Sequence, residues 1–166
     1  MLVQLALVAL ALLVSLVITR QYLMARVDDR IDATLTQEVD EFRALAQTGI
    51  DPVTRAPFDD PRRLLQLHLQ RSIPQTNETL IGLVDGVPVS RVAQEPPARL
   101  DLDPDAVAAF AAAQDTRTGQ VRTERGVVTY RVVPVLVEGS TTRGALVVGV
   151  FRDLERREVD VVTYVL

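Results

Sequence analysis

The first nineteen residues, MLVQLALVALALLVSLVIT, carry no charged side chain, and only Gln4, Ser15 and Thr19 are clearly polar. As a helix this stretch is about 28 Å long at a rise of ~1.5 Å per residue, close to the roughly 30 Å of hydrocarbon in a bilayer. It predicts a transmembrane helix over residues 1–19. A cleaved signal peptide is the alternative, but it requires a basic leading region, a shorter apolar core and a small-residue cleavage site, none of which is visible.

After Arg20 the composition changes and the helical period does not. Leu23, Val27, Ile31, Leu35, Val39, Phe42 and Ala46 recur every three or four positions, while Asp28, Asp29, Asp32, Glu38, Asp40 and Glu41 lie mostly elsewhere. The helix therefore leaves the membrane as an amphipathic rod over residues 20–48. Gly49 is placed to cap it and Pro52 prevents its continuation. A stripe this wide packs on the rod's own domain, with a dimer seam as an additional use.

Downstream, Asp60 before Pro61 marks the start of a second helix that ends at Pro74. Two apolar runs, Leu80 to Val84 and Val87 to Val92, flank Asp85-Gly86 as a hairpin does, and Pro88 assigns the return strand to a sheet edge. Asp103 before Pro104 opens a short alanine-rich helix reaching about Gln114. Three strands follow, at 119–124, 127–138 and 143–152, with turns at Arg125-Gly126 and Gly139-Ser140. The order predicts an α+β domain over residues 49–151: a five-stranded, mostly antiparallel sheet packed on N-terminal helices.

The net charge of -4 and a pI of about 5.0 leave no basic stripe for a phosphate backbone, so nucleic acid is not a partner. With no cysteine and one histidine, the common nucleophile-plus-base arrangements cannot be assembled. Asp101, Asp103 and Asp105 alternate as in a calcium loop but lack its glycine and its bidentate glutamate, and Asp103 already serves as a cap. The bracket 139–144 lacks the residues of a phosphate loop, and Asn77-Glu78-Thr79 reads as a cap and turn rather than a glycosylation site. The candidate ligand-contacting side chains are Tyr130, Arg131 and His68. In strand 127–137 alternation puts Val128, Tyr130 and Val132 on one face and Thr129, Arg131 and Val133 on the other. Arg131, charged within an apolar strand, must be ion-paired or aimed at a cleft that holds an anion. His68 lies among leucines, where a core or half-buried imidazole is the alternative to a ligand contact.

The apolar span running into YLMARVDDRI, the block LLQLHLQRSIPQTNETLIGLVDGVPV, the strand TYRVVPVLVEG and the closing ALVVGVFRDLERREVD together resemble the N-terminal sensor region of actinobacterial membrane-bound two-component sensor histidine kinases. The resemblance covers nearly the whole chain and implies a PAS-like or Cache-like extracytoplasmic domain between two spans. It implies that residues 152–166 form an exit helix leading into the second span, which begins near Val161. The cytoplasmic kinase, with its ATP-dependent autophosphorylation, would lie beyond Leu166, so this stretch would be no enzyme and need no cofactor.

The resemblance further implies a parallel homodimer in the cell membrane, a small-molecule or protein signal, and an extracytoplasmic location for residues 20–160. The arginines at 20, 26, 30, 152, 156 and 157 flank the domain and by a simple positive-inside count favour the cytoplasm. Six acidic residues share those flanks, and the resemblance places the domain outside. Alternative readings are the sensor of a chemoreceptor or cyclic-nucleotide synthase, or a single-span membrane-anchored interaction domain.

Overall fold

The computed structural model describes residues 2–155. Helix α1 (Leu2–Thr48) runs unbroken for 47 residues, since no glycine or proline interrupts it. It stops at Gly49, whose φ of +63° is open to a residue without Cβ. Toward its N-terminus Leu7, Leu10, Leu13, Leu16 and Ile18 are all exposed, and α1 is apolar and long enough there to cross a membrane, by length and composition. Further along, Val27, Ile31, Leu35, Val39 and Phe42 are buried. An all-round apolar surface has thus narrowed to a single stripe, which fits a sheet rather than lipid.

Helix α2 (Pro61–Arg71) begins as its sequence predicts, with the Asp60 side chain accepting from the Arg62 N–H and proline in the first turn. Strands β1 (Glu78–Val84) and β2 (Val87–Arg91) form the hairpin, turning through Asp85 at φ 51° and Gly86 at φ 78°. Both central residues are left-handed, the conformation an Asp-Gly hairpin turn needs. A short 3-10 turn (Leu100–Leu102) leads into α3 (Pro104–Ala111), capped by Asp103. Strands β3 (Arg117–Thr123), β4 (Gly126–Val135) and β5 (Gly144–Phe151) form the expected meander.

The sheet is wholly antiparallel, in the order β2-β1-β5-β4-β3. The first hairpin is therefore sewn to the meander through β1 and β5, in register from Glu78 opposite Val150 to Val84 opposite Gly144. These two strands are nearly all buried, which accounts for their continuous apolar runs. Edge strand β2 carries Pro88, whose missing donor costs least there.

One face of the sheet is covered by α1 and α2, through Leu35, Val39, Phe42, Leu64, Leu65 and Leu69 against Leu80, Val133, Leu146 and Val148. The other is covered by the β2–β3 connection, with Leu100, Ala106 and Phe110 on Val128, Tyr130, Val132, Val147 and Phe151. Packing on N-terminal helices thus describes only one face. Because β4 and β5 present apolar residues on both sides, a second layer has to cover the other, and α3 belongs to it. Helix α3 also ends three residues short of Gln114. Asn77 lies in the turn before β1 as expected, but Glu78 and Thr79 already belong to the strand and all three are buried.

After β5 the chain enters a helical turn at Arg152 to Glu155. The rest of the predicted exit helix and the start of the second span fall on residues 156–166, outside the described residues.

Candidate functional site

A groove opens where α3 stops. Its early end, the Asp85-Gly86 turn and the starts of the β4–β5 connection enclose a groove of about 720 Å³. Leu83, Phe110, Pro134 and Ala145 give it apolar surface, and Ala111, Ala112 and Ala113 form a wall of small side chains. Asp85, Asp115 and Arg143 supply charge to the lining. Asp85 is held in place, since its carboxylate accepts from the Arg143 N–H at 2.9 Å and its own N–H donates to the Arg143 carbonyl at 2.7 Å. Apolar surface beside a few fixed polar groups can bind a small amphiphilic molecule.

None of the three predicted contacts lies in this groove. Tyr130 is buried beneath α3, its ring edge-on to Phe110 at 4.8 Å between centroids. Its phenol lies so close over β3 that a Cβ on Gly119 would meet the hydroxyl oxygen at 2.5 Å. Arg131 points to the other face. Its guanidinium donates to Asp32 at 2.6 Å and Thr36 at 2.9 Å, both on α1, and to Thr118 at 3.1 Å on β3. It is the ion-paired arginine of the two sequence alternatives. His68 is buried on α2 with its ring edge-on to Phe42 of α1, 5.1 Å between centroids. Burial holds its pKa below the ordinary histidine value, against the opposing pull of Glu41.

His68 also stands 3.4 Å from the Ser72 hydroxyl, which is a poor nucleophile-base pair. The Ser72 hydroxyl instead donates to the His68 carbonyl at 3.0 Å, capping the end of α2. Among the described residues no group of histidines and carboxylates is arranged to hold a metal ion.

A second constellation joins the two ends of the domain. Arg152, just past β5, donates from Nε and Nη2 to the Asp28 carboxylate at 3.0 and 2.6 Å. Arg30 meets Glu155 at 3.2 Å, and Glu155 also accepts from the Asn77 amide at 3.1 Å. Asp153 accepts from the Val127 N–H at 2.9 Å, tying the same turn to β4. With the Arg131–Asp32 pair, α1 is thus clamped to the sheet and to the segment leaving it. The sequence shows a charged stalk on each side but not the pairing, because Asp28 and Arg152 are 124 positions apart. The groove was missed for a related reason: its lining comes from four separate segments, and only the run of alanines hints at open space.

No family model matches the chain, and neither a curated protein nor a solved structure matches it.

Proposed function

We propose that this chain is the extracytoplasmic signal-sensing region of a two-component sensor histidine kinase, anchored by the apolar part of α1 and passing its signal to a cytoplasmic kinase. The fold is read as PAS-like or Cache-like: one five-stranded antiparallel sheet, a long helix along one face and a connecting layer with a groove on the other. The observation that carries the reading is the clamp between Asp28 and Arg152. It holds the rod coming from the membrane against the segment leaving the last strand, so a shift of the sheet reaches both at once. A small molecule or protein in the α3 groove would bear on β1 and β5, and through them on the clamp. A parallel homodimer would bring two such stalks together.

The test uses the full-length protein. Removing residues 50–150 is expected to abolish the response to stimulus while autophosphorylation persists, and an unchanged response contradicts the sensor role. A topology reporter inserted at the exposed Gly139 turn is expected to report from outside the cytoplasm. A signal from inside overturns the extracytoplasmic assignment.

A further inference from the structure

Beside the start of β1, one carboxylate oxygen of Glu78 and one of Glu38 on α1 are buried without a hydrogen-bond partner, and the two side chains repel each other. Glu78, the first residue of β1, is 2% exposed. Its Oε2 accepts from the Gln75 N–H at 3.0 Å, but its Oε1 is buried without a hydrogen-bond partner. Glu38 approaches from α1, and its Oε2 is likewise buried and unpartnered. An ionised carboxylate in that condition is costly, and a second one beside it raises the cost further.

The surroundings do not supply the missing charge. From α1, Glu41 adds a third carboxylate, steadied by the Gln37 amide at 3.0 Å. Arg30, which lines the same crevice as Glu78, is engaged by Glu155 from the turn after β5. From α2 comes His68, which burial keeps from taking up a proton readily. Asn77, next to Glu78, gives its amide to Glu155. Among the described residues no basic side chain pairs with Glu38 or Glu78.

We propose that Glu38 and Glu78 form a proton-operated latch between α1 and the sheet, closed when protons satisfy the pair and loosened when both carboxylates ionise. A proton gives the orphaned oxygens a donor and removes the repulsion across the α1–β1 seam. Its use as a signal rests on the sensor reading, whereas the latch itself does not. The electrostatics agree: burial first, then Glu78 and Glu41, push Glu38 up to about 7, and burial raises Glu78 as well.

The sign follows from linkage. A carboxyl whose pKa is raised by folding binds its proton more tightly in the docked state, so docking is firmest below the ordinary value of 4.5 and weakens as pH rises to about 7. His68, shifted the other way, opposes this below its ordinary value of 6.5. The comparison must therefore be made between variants that share the histidine.

The experiment is amide hydrogen exchange of residues 27–42 in the full chain reconstituted in nanodiscs, corrected for intrinsic rates, from about pH 5 to about pH 8. Relative to the Glu38→Gln/Glu78→Gln double variant, the unsubstituted chain is expected to lose protection by about tenfold per pH unit for each carboxyl that titrates. The two single variants are each expected to remove part of that difference, which keeps the test open if the double variant does not fold. His68→Asn is expected to leave the difference between chains with and without the glutamates intact. Parallel pH profiles for the unsubstituted and double-variant chains overturn the latch. So does a difference that vanishes with His68→Asn, since the histidine would then be the responding group. A topology or stimulus failure of the sensor reading leaves these exchange rates untouched, so the two ideas fail separately.

Discussion

At the scale of single residues, burial and close approach decide more than charge. Leu35 is 1% exposed and sits in the middle of the α1 stripe. Leu35→Ala is expected to cost about 2–5 kcal/mol in urea unfolding followed by far-UV circular dichroism. Gly82 lies under α2, where an added Cβ would meet Ser90 Oγ at 2.6 Å, Leu69 Cδ1 at 3.2 Å and Leu65 Cβ at 3.3 Å. Gly82→Val is therefore expected to cost about 1–3 kcal/mol by overpacking, and an unchanged unfolding midpoint would mean that α2 does not sit so close. Arg131 makes the contrast. Its partner Asp32 is largely exposed, so removing the pair is expected to cost only about 1 kcal/mol in a double-mutant cycle. The alternation that put Arg131 and Tyr130 on opposite faces was legible from a period of two. That Arg131 would meet Asp32, 99 positions away, was not, because periodicity names a face and not the neighbour across it.

At the scale of elements, the caps and turns were the most legible parts of the chain. Asp60-Pro61, Asp103-Pro104 and Asp85-Gly86 each fix backbone geometry through neighbours within three residues, and each occurs as expected. The β1–β5 pairing has no such local cause. It joins residues sixty or more positions apart, and either strand's apolar pattern would suit several partners. The clamp is equally non-local and has a testable consequence. Asp28→Arg and Arg152→Asp are each expected to loosen the start of the exit segment against α1, by about 0.5–1 kcal/mol given their partial exposure. Combining them is expected to restore most of that loss, and added salt to weaken the unsubstituted pair. Hydrogen exchange at residues 152–155 measures this directly; a combined variant no firmer than either single one would show that the charges do not pair.

At the scale of the whole molecule, the same helix is apolar and long enough to cross a membrane at one end and is a wall of the domain at the other. The sequence divided these roles near residue 20; in the structure apolar side chains are exposed as far as Tyr22 and the buried stripe starts at Val27. It also set a boundary near residue 49 between rod and domain, but Val27 to Phe42 pack within one continuous core with α2 and the sheet. The pH response of the molecule combines groups of opposite sign. Hydrogen bonding to Arg63 and Arg99 lowers Asp51 and Asp101, so their stabilisation is lost as pH falls through the acid range. Raised Glu38 and Glu78 weaken the fold as pH rises toward 7. The thermal midpoint is therefore expected to peak on the acid side of neutrality, and a peak on the alkaline side would contradict these assignments.

The direct test of α1 as a wall of the domain is a distance across the three layers. The chain has no cysteine, so Ala44→Cys on α1 and Ala108→Cys on α3, both exposed, give a clean pair of spin-label sites on opposite sides of the sheet. In nanodiscs, pulsed electron resonance is expected to return one narrow distance distribution that broadens when Asp28→Ala and Arg131→Ala are introduced together. A broad distribution in the unsubstituted chain would mean that α1 swings free of the sheet, and the proposed route from groove to membrane would be lost with it.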